Sequence, residues 1–181
     1  MSPVPSLQHS SLFVARGYRH DALAPNPGLS VKCMFNGSAL YHSDRSWFAV
    51  NETGYLILNE HQPYEIHIDS PTLVESFIIF FPEGWAERAF ECVKTPSDKL
   101  LEDPERKSRQ PIHFFERLTR HDKLVSPLLS VLRSAHKKGP LPDIWLEQKL
   151  WQLLGFMLQT QNNALRESDA LRAKCAAKRR K

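Results

Sequence analysis

The chain lacks the short motifs that usually mark catalytic centres. It contains no Gly-x-Ser-x-Gly, no glycine-rich phosphate loop and no cysteine beside an activating pattern. Cysteine itself is scarce, since Cys33, Cys92 and Cys175 form an odd, widely spaced set without the spacing of metal ligands. We therefore expect three reduced thiols. No motif favours an enzyme, although catalytic groups can also converge from distant parts of a chain.

Long hydrophobic runs are also missing. The longest purely apolar segments, such as Phe77 to Phe81, are far shorter than the ~20 residues that a membrane-spanning helix needs. The N-terminus has no basic stretch followed by an apolar one, which a secretory signal would require. We therefore expect a cytoplasmic protein with no membrane partner.

Positive charge is concentrated at one end of the chain. The 181 residues are 41% hydrophobic and 24% charged, which is enough for one domain with a core and an appended helical element. From Leu165 onward there are seven basic and two acidic residues, against 17 basic and 18 acidic residues upstream. The terminal Lys-Arg-Arg-Lys run either contacts phosphates or is the solvated end of a helix or linker.

Alternating apolar and polar residues predict a β-rich region between residues 31 and 81, interrupted by turn residues at 51–54, 59–63 and 69–71. The expected strands cover residues 31–35, 39–42, 47–50, 55–58, 64–68 and 73–81. Proline-rich residues upstream predict an arm with at most one strand, near residues 12–15. A pattern of this kind is typical of a β-barrel.

After Pro111 the hydrophobic period changes from 2 to 3.6, which predicts helices. The first is expected over residues 114–136, with Pro127 marking either a kink or a second helix start at Ser126. Another helix is expected over residues 143–161. Its apolar face is unusually wide, which has two explanations. Either part of the face packs on the barrel and the remaining apolar residues contact a second partner, or the helix is buried deep in the core of one chain.

A β-rich half containing the turn and strand Gly54-Tyr-Leu-Ile-Leu-Asn is thus followed by two amphipathic helices and a basic exit. Over roughly residues 30–165, this order resembles the N-terminal sensing and dimerisation domain of AraC/XylS-type transcription regulators. The resemblance implies a mainly β, cupin-like (jelly-roll) barrel followed by two amphipathic helices. It also implies that DNA is bound only through a C-terminal helix-turn-helix domain, which nothing in this sequence matches.

The resemblance and the composition together predict four regions. They are an arm and the loop leading into the barrel (1–30), a cupin-like barrel with an exposed loop near 99–110 (31–112), a helical dimerisation element (113–163) and a basic linker (164–181). A short helix is expected near residues 85–90, inside the second region.

The first motif of metal-binding cupins is absent. That motif places His-x-His six residues after a glycine, and counting from Gly37 these positions hold Ser43 and Arg45.

The second cupin motif also lacks its histidine. Counted from Gly54, the position is Glu65, or Tyr64 if the turn is one residue shorter. We prefer Tyr64, because Tyr64, Ile66 and Ile68 then form the apolar face of the strand. We therefore expect no metal and no other cofactor.

The resemblance implies a small-molecule effector in the mouth of the barrel. Strand positions in the family point to residues just before Gly37 and to the strand that ends at Pro82, and alternation adds two aromatic residues. The candidate ligand-binding residues are Met34, Asn36, Trp47, Tyr64, Glu75 and Phe77. Packed core residues are the ordinary alternative for Met34, Trp47 and Phe77.

Glu75 differs from the other candidates because it interrupts an apolar run. It either faces solvent or is costly to bury without a partner. If it points inward, we expect it to meet a ligand or a basic group.

The second helix carries the expected homodimer interface. Its large aromatic residues would form an unusual exposed patch in a monomer, and aromatic residues are favoured at the centres of interfaces. The expected interface residues are Trp145, Leu146, Leu150, Trp151, Leu154 and Met157.

The favoured function is therefore effector sensing by a dimeric transcription regulator, in which ligand binding changes how two attached DNA-binding domains are presented. One rival is a metal-dependent cupin enzyme, an oxygenase or isomerase. Another is a protein that binds nucleic acid through its basic tail, but a neutral body and seven basic residues without an aromatic platform predict only weak, nonspecific contacts.

Overall fold

The computed structural model describes residues 11–44, 46–94 and 111–178, with side chains described only as far as Gln161. The strands are β1 (Ser11–Ala24), β2 (Ser30–Asn36), β3 (Ala39–Ser43), β4 (Ser46–Val50), β5 (Gly54–Leu58), β6 (Tyr64–Phe80) and β7 (Leu118–Arg120). The helices are α1 (Trp85–Lys94), α2 (Val125–Lys138) and α3 (Asp143–Lys178). Within the described residues, no helix is both long and apolar enough to cross a membrane. The exposed loop predicted near 99–110 lies outside the described residues.

The long strand β6 connects both halves of the barrel. β1 pairs with it antiparallel along one edge. On the other edge, the first half of β6 pairs with β3 and the second half with β2. β4 extends the sheet beyond β3, while β5 and β7 extend it beyond β2. The result is a nearly closed, cupin-like antiparallel barrel followed by helices, which confirms the predicted fold class.

Alternation along the strands divides the apolar core into two clusters. Tyr64, Ile66 and Ile68 are buried in the cluster that fills the barrel, so the predicted apolar face of this strand is confirmed. Phe77 and Ile79, farther along β6, belong instead to the cluster between the barrel and the helices. One strand therefore supplies both cores.

The helices cover the outer face of the barrel. α3 contributes several side chains with no exposed surface to this layer: Leu150, Leu153, Leu154 and Met157. Full burial of such a side chain stabilises the fold by about 1.5–3 kcal/mol. α1 joins the layer through Trp85, whose ring stacks on that of Trp151 at a centroid distance of 4.7 Å.

Two strands are longer than the sequence predicted. β1 covers 14 residues, where an arm with at most one short strand was expected. The turn predicted at residues 69–71 is wrong, because β6 continues through it. A bulge between Gly17 and Arg19 interrupts the β1 pairing opposite residues 70–73, so Pro71 lies where no N–H donor is needed.

The first predicted helix is wrong in its N-terminal part. Leu118 pairs with Leu56 as part of β7, and the helix begins only at Val125. Pro127 then lies in the first turn, where its missing N–H costs little, so the alternative start at Ser126 was close to the observed one. α3 begins at Asp143 as expected, and its backbone continues to Lys178 through most of the segment predicted as a linker.

The close approach of β7 to β5 makes Gly54 difficult to replace. A Cβ atom on Gly54 would lie 2.3 Å from the backbone oxygen of Thr119. We expect Gly54→Ala to lower the free energy of unfolding by about 1–3 kcal/mol in urea titrations, because the two strands must separate. In the control Gly17→Ala, the added Cβ makes only an ordinary contact at 3.7 Å, so a much smaller change is expected. Equal stability of the two variants would contradict this account.

Candidate functional site

Lys32 lies inside the barrel, near the middle of β2. Alternation along this strand directs Cys33 towards the helices and Met34 into the barrel. The Lys32 side chain shares the inward face with Met34 and is 0% exposed. Its cross-strand neighbours are Leu56 on β5 and Ile78 on β6. A cationic side chain therefore reaches the interior of an otherwise apolar barrel.

The Lys32 amine is held by aromatic side chains. Nζ donates a hydrogen bond to Tyr64 Oη at 2.7 Å. It also lies 4.5 Å from the centroid of the Tyr64 ring and 4.3 Å from that of Phe80, within the range of cation–π contacts. Among the described residues, Lys32 forms no ion pair with a carboxylate. Burial without a counterion lowers the pKa of Lys32 to about 7.

A second hydroxyl lies close to this group. The Tyr41 ring is 5.8 Å from the Tyr64 ring, and its hydroxyl is buried without a hydrogen-bond partner among the described residues. Burial raises the pKa of Tyr64 to about 12 and raises that of Tyr41 as well, so both phenols keep their protons. The barrel thus contains one amine and two hydroxyls that a ligand could contact.

A small cavity of about 120 Å³ lies between β1 and β6. Ile78, the cross-strand neighbour of Lys32, is part of its lining, whereas Lys32, Tyr41 and Tyr64 are not. Its β6 wall is formed by Ile66, Ile68, Val74, Ser76 and Ile78. Its β1 wall runs from Phe13 to His20 and includes Arg16 and Arg19. The described lining contains basic residues but no carboxylate. The cavity is smaller than typical ligand pockets of roughly 300–1,000 Å³, so a larger molecule would have to displace part of its wall.

Glu75 faces the helices rather than the cavity. Its carboxylate accepts hydrogen bonds from Arg16 on β1 at 2.9 Å and from Arg133 on α2 at 2.8 Å. Lys137, also on α2, lies 3.1 Å away. We call these four residues the Glu75 cluster. Glu75 thus does not point into the barrel, and its carboxylate meets basic groups on β1 and α2.

The six predicted ligand residues do not form one site. Met34 and Tyr64 line the barrel interior. Phe77 packs against the helices, and Trp47 lies outside the barrel, 58% exposed, with its ring stacked on His42.

The two remaining candidates lie away from the cavity for different reasons. Asn36 is at the exposed end of β2, where its amide donates to the backbone oxygen of Leu73. Glu75 is held in its cluster by cations from β1 and α2. Only Met34 and Tyr64 therefore remain candidates for contact with a ligand inside the barrel.

The barrel interior does not fit the metal that many cupins bind. Tyr64 occupies the inward position of the second motif, and its hydroxyl is engaged by the Lys32 amine. A cationic amine at this position is unfavourable for a second cation. Across the described part of the chain, no three His, Cys, Asp or Glu side chains converge as a metal ion would require.

A second, wider groove of about 690 Å³ lies at the end of the barrel near the β5–β6 turn. It is lined by carboxylates from four segments, Asp44, Glu60, Glu87 and Glu116, together with His61 and His113. Burial raises the pKa of Glu60. The groove is thus acidic, in contrast to the cavity between β1 and β6.

Sequence reasoning missed Lys32, the most unusual residue of the site. The signal was present, because Lys32 interrupts the apolar run from Val31 to Phe35 just as Glu75 interrupts its own. The cost of burying a charge applies equally to both. Which of the two would point into the barrel depended on strand pairing.

The predicted interface residues of α3 differ in exposure. Leu150, Leu154 and Met157 are 0% exposed and belong to the core of their own chain. Trp145, Leu146 and Trp151 are half-buried at its edge. Any contact with a second chain through this helix would therefore use the flanking residues and the outer face.

No protein-family model matches the chain, and no curated protein sequence matches it. Solved structures do. An apo ToxT variant from Vibrio cholerae strain SCE256 is 10% identical, with a TM-score of 0.57, over 85% of this chain and 56% of that chain. ToxT from Vibrio cholerae O395 bound to (E)-4-(8-methylnaphthalen-1-yl)but-3-enoic acid is 11% identical, with a TM-score of 0.52. The match covers 84% of this chain and 58% of that chain.

These similarities show a shared fold. ToxT is an AraC-type regulator, and this chain spans a little over half the length of the ToxT chains. A cupin superfamily protein from Desulfitobacterium hafniense matches a smaller part, 46% of this chain, with 12% identity and a TM-score of 0.38.

The buried amine predicts an unusual dependence of stability on pH. Lys32 has a pKa of about 7 in the folded protein but close to 10.4 when unfolded, so the unfolded state binds more protons between these values. Stability should therefore rise with pH across this window, at up to about 1.4 kcal/mol per pH unit from Lys32 alone.

Replacing Lys32 should remove its contribution to the pH dependence of stability. We expect Lys32→Met to be more stable than the unsubstituted protein at pH 7, with the advantage shrinking by pH 9.5 in urea titrations. Lys138→Met, at an exposed position, should instead give a curve parallel to that of the unsubstituted protein. A constant effect of Lys32→Met across this range would show that the amine is not desolvated as described.

Proposed function

We propose that this chain is the effector-sensing and dimerisation part of an AraC-type transcription regulator, and that its barrel binds a small molecule carrying an acidic group. The main support for this proposal is Lys32, whose buried amine has no carboxylate partner among the described residues. The fold that the chain shares with ToxT supports the regulatory part of the proposal.

A buried cation without a counterion is unfavourable, and an anionic ligand would reverse that penalty. A carboxylate entering the barrel could accept a charge-assisted hydrogen bond from Lys32 Nζ, which now donates to Tyr64. Pairing would stabilise the ammonium form. The unpartnered hydroxyl of Tyr41 offers a second hydrogen bond in the same cluster.

The cavity favours a molecule with an acidic head and an apolar body. Its β6 wall is mostly aliphatic, while its described lining includes basic residues and no carboxylate. The ToxT structure with a bound ligand contains a naphthyl butenoic acid, which has this composition. By this comparison we assign the same broad chemical class to the effector of this chain.

The outer face of α3 supports the proposed homodimer. At 100° per residue, Ile144, Gln148, Gln152, Gly155 and Gln159 share this face, and none carries a charge. Ile144 is 84% exposed. Gly155 costs about 1 kcal/mol relative to Ala within a helix, yet a Cβ there would meet nothing within 4 Å in its own chain. Close approach of a second helix would explain a glycine at this position.

In this proposal, DNA recognition belongs to a helix-turn-helix domain attached beyond the basic end of α3. The resemblance to AraC/XylS-type regulators supports that arrangement. Two copies paired through α3 would carry their attached domains on the same assembly, as recognition of two adjacent half-sites requires.

Binding of an acid should depend on Lys32. We expect (E)-4-(8-methylnaphthalen-1-yl)but-3-enoic acid to bind by calorimetry, and Lys32→Met to weaken it by about tenfold or more through the loss of a charged hydrogen bond. The primary amide of the same compound is the matched neutral ligand, and it should bind the unsubstituted protein more weakly. Affinity for the acid should also fall as the pH rises above 7, because the amine loses its proton.

Lys138→Met serves as the control variant for acid binding. It lies at the exposed end of α2 and should bind the acid as the unsubstituted protein does. Acid and amide binding with equal affinity, or an unchanged affinity in Lys32→Met, would refute the role assigned to Lys32.

The dimer should depend on Gly155. We expect Gly155→Arg to dissociate the dimer in sedimentation equilibrium, because a long side chain would occupy the space where the second helix approaches. Glu147→Arg adds the same side chain to an exposed position of the same helix outside the Gly155 face and should leave the dimer intact. A monomeric unsubstituted protein at tens of micromolar would rule out this interface.

A further inference from the structure

We infer that the Glu75 cluster couples occupation of the barrel cavity to the position of α2 and, through it, to the helical layer. The inference rests on the proposed function, because it assumes that a ligand enters beside β1. It assigns to this cluster the regulation of the proposed ligand site.

β1 takes part in both the cavity and the cluster, and Arg16 belongs to both. Phe13, Ala15 and Gly17 pair with Ile78, Ser76 and Val74, the β6 residues of the cavity wall. Arg16, between them, pairs directly with Glu75 and donates to its carboxylate. A displacement of this part of β1 by a ligand would therefore move Arg16 relative to Glu75.

β1 is also the wall best suited to move. It pairs only with β6, so one of its edges is free within the described sheet. The bulge between Gly17 and Arg19 already interrupts that pairing next to the cavity. A cavity of about 120 Å³ must enlarge to hold a molecule of usual ligand size. The other wall, β6, is also held on its far edge, by β3 at residues 64–67 and by β2 at residues 75–80.

The cluster transmits such a movement because one carboxylate is shared by three cations. Burial acts against ionisation of Glu75, but hydrogen bonds from Arg133, Arg16 and Lys137 lower its pKa to about 2. The carboxylate is therefore charged at neutral pH. Loss of the Arg16 contact would leave it bonded only to α2, changing the balance of forces that positions this helix.

α2 is connected to the rest of the helical layer by packing. The Arg133 guanidinium lies 3.8 Å from the centroid of the Phe35 ring, which fixes the helix against the end of β2. Leu129 and Leu132 of α2 are fully buried in the same cluster as Leu150 and Leu154 of α3. A change at Glu75 thus reaches the helix whose outer face is the proposed dimer interface.

The experiment needs no ligand, because a larger side chain can fill the cavity. Ala15 lines the cavity on β1, and Ala15→Phe should push the strand outward. We expect backbone amides of α2 to exchange hydrogen about fivefold faster in the full 181-residue chain. The measurement is hydrogen exchange followed by mass spectrometry, with circular dichroism to verify folding.

The coupling is tested by repeating Ala15→Phe with Arg16 already removed. In an Arg16→Gln background, cavity filling should no longer change exchange in α2. The control background is Asp21→Asn, which changes an exposed contact of β1 with His67 outside the cavity lining and should preserve the full response. If Ala15→Phe does not fold, the smaller Ala15→Ile replaces it in all three backgrounds.

Two results would overturn the inference. One is an α2 exchange rate that cavity filling leaves unchanged, and the other is an equal response with and without Arg16. Acid binding is measured separately by calorimetry on Lys32→Met. A protein that binds the acid but shows no response in α2 would keep the proposed function and lose the coupling. A protein that does not bind the acid but shows the full α2 response would lose the proposed function and keep the coupling.

Discussion

The continuity of β6 is the constraint on which the rest of the structure depends. A single strand of 17 residues pairs with β1 on one edge and with β3 and then β2 on the other, so both halves of the barrel share one backbone. Tyr64, which holds the Lys32 amine, and Glu75, which holds Arg133, are residues of this strand. The proposed ligand site and the contact with the helices are therefore parts of the same element.

Alternation then separates the charges of the barrel into two environments. Lys32 and Glu75 lie on neighbouring strands, but their side chains point to opposite faces of the sheet and do not neutralise each other. Inside, an amine has aromatic partners and no described carboxylate. Outside, a carboxylate has three cationic partners. The first environment suits an anionic ligand, and the second suits a stable junction between strand and helix.

Sequence reasoning succeeded where a local pattern determines structure. The inward face of Tyr64, Ile66 and Ile68 follows from alternation, and the helix starting at Asp143 follows from periodicity. It failed where distant pairing overrides local signals. Pro71 is typical of a turn, yet it lies within β6, at a point where the pairing with β1 is interrupted and no N–H donor is needed. The pattern around Leu118 predicts a helix, yet Leu118 pairs with Leu56 of β5 as part of a strand.

The sequence by itself determined the β-barrel pattern, the order of barrel and helices, and the unusual character of Glu75, because these depend on period and composition within short windows. The cupin-like class was implied by the resemblance to AraC/XylS-type regulators. Only the tertiary structure decided which buried charge points into the barrel. That outcome depends on strand register, and shifting a strand by one residue would exchange its inward and outward faces. Lys32 could be recognised as the residue of interest only after β2, β5 and β6 were placed side by side, since its environment is built from residues far apart in the chain.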